Sequence, residues 1–147
     1  MSIYPNFKLC KTFPYGSIYK HDTRNIAMVV YAVDATIDLE EAQQIVQEVK
    51  SIVDINKNLF GVTMTLKGST ATEKARNFFA NDKFSQEITK AMALVIHQLP
   101  QRLMLKIYLK FNKPKSPIKA FKSLSSAMNW INTIEHSLIK EHDEIYS

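Results

Sequence analysis

Four histidines (His21, His97, His136 and His142), the single cysteine Cys10 and a few hydroxyls are the side chains of this chain with the most chemistry to offer. No two histidines stand four residues apart and none lies in a His-Glu-x-x-His frame, so no helical metal site is written here. A lone cysteine makes neither an internal disulfide nor a cysteine-built zinc site. Lys8 and Lys11 flank Cys10 and would favour its thiolate, but no acid–base partner can be assigned, and a buried structural thiol is the expectation. His97 follows an apolar run, where open α/β sheets often place their sites; a hydrogen-bonded boundary residue is the alternative. The three glycines, Gly16, Gly61 and Gly68, cannot form a P-loop or a dinucleotide fingerprint. No glycine-framed serine elbow and no close pair of carboxylates suggests hydrolysis or acid–base work. The residues point away from an enzyme, and neither a cofactor nor a metal is expected.

Charge is the stronger signal. Residues 101–122 carry seven basic side chains and no acid: Arg102, Lys106, Lys110, Lys113, Lys115, Lys119 and Lys122. The rest of the chain holds 12 basic against 14 acidic residues, so the whole net charge of +5 comes from this stretch. Such a segment can attract an anionic partner or simply solvate a surface. Lysine outnumbers arginine 16 to 3, which argues against specific nucleic-acid readout, where the arginine fork matters.

The elements that would position these residues belong to one domain of 147 residues, with 46% hydrophobic and 22% charged side chains as in globular proteins. No apolar run is long enough to span a membrane, and no signal peptide is visible, so the cytoplasm is the expected compartment. An aromatic N-terminal segment broken at Pro14-Tyr15-Gly16 predicts one or two short strands around a turn. Ile26–Ala32, Leu59–Leu66, Ala91–Ile96 and Pro117–Phe121 read as strands. Asp38-x-x-Glu41 predicts a capped helix with Leu39, Ala42, Val46, Val49 and Val53 on one face. Thr70-x-x-Glu73 predicts a second capped helix, broken at Asn81-Asp82 and resumed from Phe84 to Lys90. A long final helix runs from Leu124 to His142. Phe121 and Trp130 are expected to anchor the core of this closing unit.

Residues 101–113 fit two descriptions. Leu103, Leu105, Ile107, Leu109 and Phe111 alternate with polar neighbours, as in a half-exposed strand. At roughly 100° per residue, Arg102, Lys106, Lys110 and Lys113 also share a helical arc of about 80°. On that helix Leu103, Met104, Ile107, Tyr108 and Phe111 would face the sheet, and Leu105 and Leu109 would lie beside the basic stripe as an apolar partner surface.

The order of elements, with Glu73–Ala80, Ala91–Ile96, Asn112–Pro117 with Phe121, and Ala127–Ile131, resembles the STAS/SpoIIAA-like group, especially its small stand-alone bacterial members. The resemblance covers about residues 26–131. It implies an α/β domain of stacked βα units, a mixed sheet of about five strands flanked by helices, and a helix at 101–113. It also implies a non-enzymatic regulatory module acting through protein–protein contact, sometimes switched by phosphorylation of a serine in an Asp-x-Ser context. Here that stretch would be Leu66–Thr70, with Ser69 and Thr70 as hydroxyls and Lys67 where the aspartate would stand. A helix cap accounts for Thr70 without any switch. A protein partner and a homodimer are compatible with this reading. The alternatives are a carrier or sensor of a small apolar or anionic, lipid-like ligand, and non-specific polyanion binding through residues 101–122.

Overall fold

A computed structural model describes residues 3–111 and 114–146. Strand β1 (Phe7–Phe13) turns through Pro14 and Tyr15 into β2 (Gly16–His21), so the aromatic N-terminal segment forms both arms of a hairpin. Leu9 pairs with Tyr19 and Lys11 with Ile18, which leaves Cys10 as the extra residue of a β-bulge. Gly16 is where the turn enters the sheet: a Cβ there would strike the Val30 carbonyl. The Tyr15 hydroxyl donates to Gln44 Oε1 at 2.6 Å. Burial, with Glu41 and Glu40 nearby, pushes the phenol up to about 12, so it remains a donor.

Next come β3 (Ile26–Tyr31), the two-residue β4 (Thr36–Ile37) and helix α1 (Leu39–Ile52). Then follow β5 (Leu59–Thr65), the two-residue β6 (Thr70–Ala71), α2 (Glu73–Asn81) and α3 (Lys83–Ile88). β7 (Thr89–Ile96), α4 (Leu99–Phe111), β8 (Ile118–Phe121) and α5 (Leu124–Tyr146) complete the chain. The main sheet has the order β1-β2-β3-β5-β7-β8, antiparallel in its first two pairings and parallel in the other three. The sixth strand beyond the expected five or so comes from the complete N-terminal hairpin. Residues 101–113 are helical where described, and α4 packs against β7 and β8.

Each face of the sheet has its own core, as strand alternation requires. Met28, Val30, Val62, Ala93 and Val95 pack beneath Ala127 and Ile131 of α5. Val29 and Tyr31 pack on the opposite face with Ala42 and Ile45 of α1 and Ala75 of α2. Phe121 and Trp130 are half-buried at the margin of the first core, their rings 5.4 Å apart. Gly61 leaves room for Met92 on the neighbouring strand, since a Cβ would meet that thioether.

The start of α2 is set by pairing far along the chain, and the local cap of α1 gains a distant partner. Asp38 caps α1 through Oδ1, which accepts the Leu39 amide and the Thr72 hydroxyl, both at 2.8 Å. Thr72, not Thr70, caps α2, its Oγ1 accepting the Ala75 amide at 3.2 Å. The reason is tertiary. Thr70 is drawn into β6, which pairs with Thr36 of β4, so the helix begins two residues later than its sequence suggests. Asp82 separates α2 from α3 by accepting the Ser85 amide and hydroxyl.

Candidate partner-binding surface

The turn after β5 holds the two hydroxyls first considered as phospho-acceptors. Gly68 has φ +76°, and a Cβ there would strike the Asp34 carboxylate, so only glycine suits this bend. The chain then folds back so that the Ser69 hydroxyl donates to the Leu66 carbonyl at 2.7 Å. Ser69 is 7% exposed. A buried, internally bonded hydroxyl is not presented to a kinase, so Ser69 serves the turn. Thr70 is exposed, but its backbone belongs to the β4–β6 pairing, its amide donating to the Ala35 carbonyl.

Of the other reactive side chains, Cys10 and His21 line one hollow, which His97 does not join. Cys10 is exposed at the bulge, against the expectation of a buried thiol, because the unpaired bulge residue faces outward at the sheet edge. His21 Nδ1 accepts the amides of Thr23 and Arg24, and burial, aided by Arg24, holds its pKa below the ordinary value. His97 is exposed just past β7, and its carbonyl, not its imidazole, is engaged by Arg102. Among the described residues no group of three or more His, Cys, Asp or Glu could hold a metal ion. A shallow hollow between the β2–β3 turn and the end of α1 is lined by Lys20, Arg24, Asn25, Asp54 and Lys57. Its polar groups are largely spent on one another: Asn25 binds the Asp54 amide and carbonyl, and Lys20 donates to the Arg24 carbonyl. A second hollow, around Lys8, Cys10 and His21, likewise has no lining from α4.

Helix α4 is different. Arg102 donates from one guanidinium nitrogen to the carbonyls of Ile96 and His97, at 2.6 and 2.9 Å. It thereby satisfies backbone acceptors at the end of β7 and is half-buried. Leu105 and Leu109 lie three and seven residues further on, along the same face of the helix, and are half-buried with it. The expectation that these two leucines form an outward apolar surface is therefore corrected. The opposite side faces solvent: Leu99 is 56%, Leu103 48%, Met104 70% and Ile107 62% exposed. Lys106 and Lys110 are exposed beside them, while Lys113 lies outside the described residues.

The expected basic stripe is thus divided. Its arginine faces the protein, whereas Lys106 and Lys110 face out, mixed with aliphatic side chains. A charge pattern alone shows no difference between these roles. The available signal was that Arg102 stands in the first turn of the helix, within reach of the strand end that precedes it.

Residues 88–134 contain no Asp or Glu, so α4 and β8 carry no carboxylate of their own. Among the described residues, Lys106 and Lys110 form no ion pair; the pairs present are Arg24–Glu135 and Lys57–Asp54. No helix among the described residues is long and apolar enough to cross a membrane. The outward face of α4 offers apolar and cationic contact.

The fold is similar to that of an uncharacterised protein of the DUF3478 family from Shewanella loihica PV-4 with a SpoIIAA-like fold. The two share 12% identity over 88% of this chain and 98% of that one, with a TM-score of 0.55. At this identity the likeness establishes the fold, which is SpoIIAA-like. No curated protein matches the sequence. A family model matches residues 19–135, and the chain belongs to that family, the domain of unknown function DUF7793.

Proposed function

We propose that this chain is a non-enzymatic binding module, regulatory in role and cytoplasmic, whose contact surface is the outward face of α4. One observation carries the reading: four large aliphatic side chains lie exposed on a single 13-residue helix. Covering even one leucine-sized side chain is worth about 1.5–3 kcal/mol, so leaving four in water is a substantial unused driving force. Single exposed leucines are ordinary, whereas a clustered apolar patch marks an interaction site.

A photoreactive residue in place of Met104 tests the reading in cells. Expected is a discrete adduct that disappears with Leu103→Asp/Ile107→Asp, while the thermal unfolding of that double variant stays near wild type. The purified chain should then bind whatever the adduct identifies, protein or lipid vesicle, and lose affinity with the same variant. Adduct formation indifferent to the double variant, or no adduct at all, would count against α4 as the contact surface.

A further inference from the structure

We infer that the outward face of α4 docks on an anionic lipid bilayer, with its aliphatic side chains in the interface and its lysines among the headgroups. The inference rests on the binding-module reading and names its partner. Leu99, Leu103 and Ile107 recur every four residues and form one stripe along the helix, with Met104 beside it. Lys106 and Lys110, also four apart, run along the flank of that stripe. An exposed helix combining such a stripe with lysines has the composition of one that lies in the plane of a membrane interface.

The surroundings extend the same chemistry. Lys115, Lys119 and Lys122 are exposed on the segments that follow, and no carboxylate interrupts residues 88–134. Exposed lysines in succession along the chain suit an extended anionic surface, to which each nearby lysine adds attraction without needing a fixed geometry. A second copy of the chain is a poor occupant, because a twofold contact pairs this face with itself, and α4 brings no carboxylate to offset Lys106 and Lys110. A tight protein hot spot also fits less well. Such sites are rich in Trp, Tyr and Arg, whereas the exposed set here is Leu, Met and Ile, and Arg102 is turned inward.

Co-flotation of the full chain with vesicles tests the inference, using phosphatidylcholine alone and phosphatidylcholine with 30% phosphatidylserine as about a physiological anionic load. Binding to the anionic vesicles should exceed binding to the neutral ones at least tenfold and should fade with added salt. Leu103→Asp/Ile107→Asp should lower it by more than tenfold with the unfolding midpoint preserved. Lys106→Glu/Lys110→Glu should do the same, whereas Lys74→Glu/Lys83→Glu, with the same net charge change on exposed α2 and α3 positions, should have little effect. Equal binding to both vesicle types, no binding, or equal loss in both lysine variants would overturn the membrane assignment. If vesicles fail while the residue-104 adduct is a protein and depends on the α4 face, the binding module stands and the bilayer is the wrong partner. If both fail, both readings fall.

Discussion

Helices α1 and α4 each follow a parallel strand and are nearly equal in length, 14 and 13 residues, yet they treat their apolar side chains in opposite ways. α1 buries Ala42 and Ile45 against Val29 and Tyr31, begins at a carboxylate cap and leaves Glu40 and Lys50 exposed. α4 sends Arg102 inward, half-buries Leu105 and Leu109, and leaves four aliphatic side chains in solvent. One helix spends its hydrophobicity on the fold, while the other keeps much of it available. Apolar content alone therefore says little about a helix's role; the direction of its apolar face does.

The largest test of this contrast exchanges isoleucines. Ile45→Ala, at a site 3% exposed, should cost about 2–4 kcal/mol and lower Tm by roughly 6–12 °C. Ile107→Ala, 62% exposed, should stay within about 0.5 kcal/mol of wild type. Comparable losses in thermal unfolding would mean that α4 is packed as deeply as α1.

Arg102 is the next discriminating position. Arg102→Ala removes a charged donor from two strand-end carbonyls and should cost about 1–2 kcal/mol, with faster amide exchange through α4. Arg102→Lys should rescue little, since the lysine stem does not carry its nitrogen to the position of the one guanidinium nitrogen that serves both carbonyls. Full rescue by lysine would indicate that charge, not geometry, holds the helix in its rotation.

The caps should give smaller effects. Thr72→Ala should lose about 1 kcal/mol and Thr70→Ala at most about 0.5 kcal/mol in denaturant unfolding. The reverse order would restore Thr70 as the cap.

The smallest effect is a pH dependence at the start of α1. The Thr72 hydroxyl, then the Leu39 amide, hold Asp38 below its ordinary value of 3.8. A depressed carboxyl pKa contributes stability that is complete above the unfolded value and is lost as pH falls through the folded one. The stability gap between wild type and Thr72→Val should therefore narrow as pH drops below 3.8. A gap that is constant through this range would show that the hydroxyl does not sense the carboxylate's charge.

Local signals made much of the fold legible. The Asp38 cap, the helical period of α1 and the uninterrupted apolar run of β3 need no distant information. The helical state of α4 was open on periodicity, because its leucines alternate as well as they spiral, and the family resemblance supplied the choice. The rotation of α4 was not legible. Two hydrogen bonds from Arg102 to carbonyls five and six residues earlier take it out of the basic stripe that its helical arc with Lys106, Lys110 and Lys113 suggests. The shift of the α2 cap has the same kind of origin, since pairing with Thr36 reassigns Thr70 from helix start to strand. The exposure of Cys10 has no local signal, because a bulge depends on the partner strand's register.

That bulge also governs how copies of the molecule can meet. β1 is an outer strand of the sheet, and a flat outer strand is a template on which another backbone can grow. The extra residue at Cys10 breaks the regular spacing of its hydrogen-bonding groups, and exposed Lys8 and Lys11 repel an identical neighbour. At the far edge β8 is only four residues long, follows Pro117 and carries exposed Lys119. Both rims are thereby closed to strand-by-strand polymerisation. A chain that keeps sticky side chains on a helix and guarded backbone at its rims is biased toward reversible association and away from fibrous growth.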